Sequence, residues 1–389
     1  MEAEQKNVPK KGTKIVAFDY IRSFVILLVL VHHTILSYVT FSQPNPYTPF
    51  TFAPVVDSQK WSFFDLITLY NDTWFMALLF FISGLFVIKS LTGKGVRIFM
   101  RDRFIRLGIP FVVGTIFLIP LAYFPGQLQI DLIYGGSTSY LDFWLGMVRS
   151  GFGTAGPLWF VGVLLIFDGI ITAIYLCIPH LNEKIGLRTS NLLKRPKLFF
   201  LAFLGLSSVA YIPMILAFGA GHMSGVGPLK FQTSRIFLYL VYFLFGTLVG
   251  AFGLERGIFC SDGLLAKQWG RWVVASIISF FAWFAIVIFI SYDASVLALP
   301  VFCMVMLFSV TSFFLRFTKG NVALLDNLSK NSYGIYIFHY VFMTWLQFVL
   351  LQTDFHAIQK ASIVFALTLI LSWGTTSAIR RIPTVARVI

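Results

Sequence analysis

Long apolar runs alternate with short polar connections along the whole chain, and ten of the runs reach about 20 residues. That is the length at which a helix rising about 1.5 Å per residue crosses a hydrocarbon core of about 30 Å. The runs cover residues 17–40, 66–90, 104–124, 158–179, 198–219, 234–252, 271–291, 294–316, 331–352 and 360–380. Only Tyr292 and Asp293 separate the seventh from the eighth, which predicts a tight turn there. The pattern predicts an all-α membrane protein, a polytopic bundle of about ten transmembrane helices forming one domain over residues 1–389. The first run follows a lysine-bearing tail, as a secretory signal would. It is too long for a signal and has no A-x-A-like cleavage site, so it should stay as an anchor.

Composition agrees with the pattern. Hydrophobic residues make up 58% of the chain and charged residues 12%, with a mean hydropathy of +0.82, so a soluble enzyme is excluded for want of a charged shell. The net charge of +14 would by itself suit nucleic acid or an anionic membrane, but its placement decides. Alternate connections carry 24 basic residues on one side and five on the other (Lys60, Arg149, Lys230, Arg235 and Lys360), with Arg22 inside the first run. Such a bias predicts both termini in the cytoplasm and withdraws support from nucleic-acid binding. It makes residues 1–16 and 381–389 cytoplasmic tails and 125–157 the longest extracytoplasmic loop. Cys177, Cys260 and Cys303 offer neither an extracytoplasmic disulfide pair nor zinc-like spacing, and no metal is expected. There is no P-loop, no GxGxxG and no soluble domain after the tenth run, so any chemistry falls to the membrane domain and its loops.

Ionisable residues inside the runs are therefore the candidates, because each costs at least about 2.5–3.5 kcal/mol to insert. They are Asp19, Arg22, His32 and His33 in the first helix, Asp72 in the second, Asp168 in the fourth and His339 in the ninth. Eleven steps of about 100° leave Arg22 and His33 only about 20° apart around the helix, whereas His32 lies about 80° away. Arg22 and His33 thus share a face, about 16 Å apart along the axis. One face offers an anion-binding cation near the cytoplasmic edge and a proton-handling imidazole deeper in; His32 reads as a core histidine. Arg103 and Arg106, three apart where the third helix begins, can grip one polyanion from neighbouring positions, although positive-inside flanking explains Lys94 and Arg97. Gly84 should allow close helix packing, and Ser83 should bond its own backbone. Asp168 fits an ion pair or a proton-carrying role, and His339 a core hydrogen bond or a second catalytic imidazole.

In order and placement these residues resemble the acyltransferase-3 family of integral membrane acyltransferases. The resemblance covers nearly the whole chain and is carried by the Arg-x10-His spacing of Arg22 and His33, FFISG in the second helix, RFIRLGIP with Arg103 and Arg106, PLWF in the fourth, and SYGIYIFH ending at His339. PLWF and the absence of an appended esterase-like domain are similar to the glucan-succinylating branch, while the doubled His32-His33 departs from the commonest pattern. The resemblance implies transfer of an acetyl or succinyl group from cytoplasmic acyl-coenzyme A to a hydroxyl of an extracytoplasmic sugar or glycan, in a bacterial cytoplasmic membrane. In that reading Arg22, Arg103 and Arg106 hold the coenzyme A phosphates, and His33, with His339 and Asp168 as further catalytic candidates, acts as general base or is itself transiently acylated. Tyr140, Trp144 and Trp159 could stack on sugar rings, with Asp72 as a further acceptor contact. Two other classes fit parts of the pattern. A small-solute or proton-coupled transporter explains the buried Asp168, His33 and His339 but not the paired arginines, and no repeat with broken helices is seen. A noncatalytic partner of a glycan-assembly machine would bind no coenzyme A.

Overall fold

The computed structural model describes residues 16–44, 52–178, 195–255 and 257–389; the basic residues expected in the N-terminal tail and most of those in the fourth connection fall outside them. Among the described residues ten helices are long and apolar enough to cross a membrane: α1 Val16–Tyr38, α2 Ser62–Lys94, α3 Val96–Tyr134, α4 Gly156–Cys177, α5 Lys197–Phe218, α6 Thr233–Phe252, α7 Trp269–Phe289, α8 Leu299–Phe317, α9 Ala323–Leu350 and α10 Ala357–Ile379. Together with one small antiparallel pair, β1 Met223–Val226 and β2 Leu229–Gln232, they form an all-α polytopic membrane protein. The outer faces of α7 and α10 carry exposed Phe289 (84%) and Ile370 (63%), which only lipid can cover.

Two pairings place the site. Helices α1 and α9 run parallel, with one offset of 306 positions joining two of their contacts. The Tyr20 hydroxyl donates to Asp326 Oδ1 at 2.7 Å, His33 meets His339 thirteen residues further along both helices, and Gln347 Nε2 donates to the Thr34 carbonyl at 3.1 Å. Helices α2 and α6 touch backbone to backbone: a Cβ on Gly84 would lie 2.2 Å from the Phe243 carbonyl oxygen, and one on Gly246 would lie 2.1 Å from that of Phe81. Only glycine permits that approach. Ser83 Oγ bonds the Leu79 carbonyl of its own helix at 2.8 Å, as its position in the run suggests.

Three features differ from the sequence expectation. The junction of the seventh and eighth runs is a short helix, Tyr292–Leu297, because Ser291 Oγ caps it by accepting from the Ala294 amide at 3.0 Å. Helix α2 is interrupted at Thr73 and Trp74, and donors of the bundle take the carbonyls there: Arg235 Nη1 bonds the Asp72 carbonyl and Cys303 Sγ that of Thr73, both at 2.7 Å. Helix α3 continues to Tyr134, ten residues past the predicted end, and shortens the connection expected over 125–157, which also holds a helix, Tyr140–Arg149.

The reason α3 persists lies in its prolines. Pro110, Pro120 and Pro125 lack an amide hydrogen and so leave the carbonyls four residues earlier, those of Arg106, Ile116 and Leu121, without a helical donor. Each has a side-chain substitute. The Tyr333 hydroxyl donates to the Arg106 carbonyl, Trp144 Nε1 to that of Ile116 at 2.9 Å, and Trp345 Nε1 to that of Leu121 at 3.0 Å. Wide π turns at Phe104–Gly108 and Gly114–Leu118 absorb the remaining misfit. Two of the three donors come from α9, so α3 is tied to the helix that bears His339.

Candidate active site

The two intramembrane histidines predicted on separate helices meet. His33 Nδ1 lies 3.3 Å from His339 Nε2. His339 is fully buried, and its Nδ1 lies 2.6 Å from the Tyr336 carbonyl oxygen. A carbonyl only accepts, so that nitrogen carries the proton, and in the neutral ring Nε2 is left as the acceptor. His33 must then donate from Nδ1. The consequence is chemical: His33 Nε2 keeps its lone pair. His33 retains partial exposure, so this lone pair is reachable. Tyrosines wall the pair. The Tyr340 ring stands edge-on to His33 at 5.5 Å between centroids, and its hydroxyl bonds that of Tyr123. The Tyr336 hydroxyl donates to the Pro157 carbonyl. His32 turns away to pack on Phe75 at 5.2 Å, as the helical-wheel argument requires.

Toward the start of α1 the arginines separate into two groups. Arg103 pairs through Nε with the buried carboxylate of Asp168 at 3.2 Å and sits over the Phe99 ring at 5.0 Å. Arg106 lies in the π turn beyond it, so its direction departs from that of an ordinary helical neighbour of Arg103. Arg106 is exposed and acts through space on Arg22, which also contacts Asp19 at 3.3 Å. Arg22 and Arg106, from different helices, are therefore the cations brought together, and Asp168 is brought to Arg103 rather than to the histidines.

The four aromatic and acidic acceptor candidates fall into two groups, each engaged with other partners. Trp144 commits its indole N–H to the α3 backbone, and Tyr140, on the same short helix, packs edge-on against Phe124 at 5.2 Å. Trp159 lies on Tyr239 at 5.8 Å, and Asp72 pairs with buried Arg235 at 2.7 Å. Sequence reasoning counted Arg235 and Lys360 only as flanking charges. In the structure Lys360 and Asp57 form a fully buried ion pair at 2.8 Å. The sole sequence signal for it was an unmatched aspartate in the first connection.

Fold and site together define a multi-pass membrane protein with a hydrogen-bonded histidine pair inside its bundle. Comparison with known families gives the particular one: a model of the acyltransferase domain matches residues 15–377, and the chain belongs to the acyltransferase-3 family. No curated protein and no solved structure matches it.

Proposed function

We propose that this protein transfers an acyl group, acetyl or succinyl, from acyl-coenzyme A on the cytoplasmic side to a hydroxyl of a sugar or glycan on the other side of a bacterial cytoplasmic membrane. The observation that carries the reading is the His33–His339 contact, which leaves the lone pair of His33 Nε2 free on the same helix as Arg22. Arg22 and Arg106 bind the donor phosphates by charge-assisted bonds, and Arg103, held by Asp168, completes that end. The charge bias of the connections supports the orientation.

In the reaction, His33 Nε2 takes the proton as the acceptor oxygen attacks the thioester carbonyl. The tetrahedral adduct then expels the coenzyme A sulfur, and the His33 imidazolium returns the proton to that leaving group. His339 holds the ring in the required tautomer, as a triad carboxylate does elsewhere. Among the two branches of acyl chemistry the glucan-succinylating one fits the PLWF sequence of α4. Incubating the purified protein in liposomes with labelled acetyl- or succinyl-coenzyme A and a glycan mixture tests the proposal. Covalent label on glycan is expected; solute movement without covalent transfer would favour the transporter class instead.

A further inference from the structure

A cavity of about 820 Å³ opens at the end of the bundle opposite Val16, between the segment following α1, the outer end of α3 and the end of α9. Its size falls within the roughly 300–1,000 Å³ usual for small-molecule sites. It lies beyond the histidines along α1 and α9. Lys60, in its wall, donates to the Ser37 carbonyl at 3.2 Å, and Ser37 lies one turn, about 6 Å, beyond His33 on α1. Gln347, which clamps the Thr34 carbonyl, directly precedes Phe348 of the wall.

Two carboxylates, Asp57 and Asp65, and two ammoniums, Lys60 and Lys360, lie at or near the cavity, but both carboxylates are bonded by groups other than Lys60. Asp57 is taken by Lys360 at 2.8 Å and by the Gln59 amide at 2.8 Å. Asp65 accepts from the amide of Thr40 at 2.8 Å and from its hydroxyl at 2.5 Å. Gln129 is spent on both backbone groups of Val56. Lys60 itself is half-buried, donates to the Ser37 and Ser42 carbonyls, and forms no ion pair among the described residues. An ammonium has three donors, so one is left; Asp57 and Asp65 act on Lys60 only through space, and an anionic occupant can bond that donor directly. Beside it, Gln43, Ser58 and Gln352 have no side-chain bond among the described residues and can meet sugar hydroxyls. Exposed Leu132 (64%), Ile133 (51%) and Val349 (67%) form an apolar rim.

We propose that this cavity is the acceptor site and that its occupant is an anionic glycan, whose phosphate or carboxylate pairs with Lys60 while a sugar hydroxyl reaches down toward His33. The direction of transfer rests on the acyltransferase reading above; the binding claim does not. The phosphate can belong to the sugar or to a lipid carrier lying against the apolar rim.

The test is equilibrium binding to the full-length protein in nanodiscs of one fluorescent gluco-oligosaccharide in four matched forms: neutral, phosphorylated, carboxylated, and linked through phosphate to a polyprenyl lipid. The anionic forms should bind at least tenfold more tightly than the neutral one. Lys60→Gln should erase that preference and Lys60→Arg keep it, with acyl-coenzyme A binding unchanged in both. Should Lys60→Gln not fold, Ser58→Trp, an exposed wall position, should block all four forms. Tighter binding of the lipid-linked form than of the phosphorylated sugar assigns the rim to lipid, and equal binding assigns the anion to the sugar. Equal affinity of wild type for neutral and anionic forms, or an unchanged preference in Lys60→Gln, overturns the proposal. Because no turnover is needed, absence of acyl transfer would contradict the acyltransferase reading without touching this site.

Discussion

His33 and His339 stand 306 positions apart in sequence and 3.3 Å apart in space, the same offset that joins Tyr20 to Asp326 thirteen residues earlier on both helices. The equality shows that α1 and α9 run parallel between these two contacts, so the Tyr20–Asp326 bond at one end helps to set the histidine contact thirteen residues away. His339 is a positioning residue in this arrangement. His339→Ala should lower kcat by about 100-fold, the scale of a misplaced catalytic group, and move the pH profile of kcat while leaving KM for both substrates near wild type. His339→Gln, whose amide oxygen can accept from His33 Nδ1, should restore part of the loss. A purely structural role would give parallel losses in both variants.

Donor binding should divide the arginines unequally. Arg22→Ala and Arg106→Ala are expected to weaken acyl-coenzyme A binding, each by at least tenfold at low ionic strength, since the two cations act on each other through space. Arg103→Ala should act chiefly by stranding the buried Asp168 carboxylate. It is expected to lower the thermal midpoint, and adding Asp168→Asn should recover most of that loss. Isothermal titration and thermal unfolding in detergent separate the two effects.

The proline substitutes in α3 can be tested by a double-mutant cycle. Trp345→Phe removes the donor to the Leu121 carbonyl and should cost about 1–3 kcal/mol, the penalty of a buried unsatisfied acceptor. Pro125→Ala returns a backbone amide to the same carbonyl. The double variant should therefore be less destabilised than the sum of the single effects, and strict additivity in thermal unfolding would remove the explanation.

Burial pulls the Lys60 ammonium below the ordinary lysine pKa, against the opposing fields of Asp57 and Asp65; Lys360 also faces this region from α10. The protonated form binds an anion, so affinity for anionic glycans should be full at neutral pH. It should fall as pH rises through the lowered pKa, before the ordinary lysine value of about 10.4. Lys60→Gln should show no such fall in a binding titration.

Much of the fold was legible because lipid leaves little choice: any long apolar run must be helical, and all ten were found. The end of α3 was misread because Pro125 and its polar neighbours look like a terminator locally, while the Trp345 indole that sustains the helix is 220 residues away in sequence. The face shared by Arg22 and His33 follows from helical periodicity alone. The meeting of His33 with His339 does not, since one helix fixes the direction of a side chain but not which helix receives it. The same limit hid Arg235 and Lys360, whose partners Asp72 and Asp57 are set by packing, and it made Arg103 and Arg106 look equivalent, because a π turn leaves no periodic signature in sequence.

The most direct measurement is single-turnover transfer from labelled acyl-coenzyme A to glycan by purified wild-type and His33→Ala protein, with coenzyme A binding measured on the same samples. The account predicts that the variant binds the donor within about threefold of wild type and transfers at least 100-fold more slowly, in line with loss of a general base. Transfer at the wild-type rate by His33→Ala would contradict it.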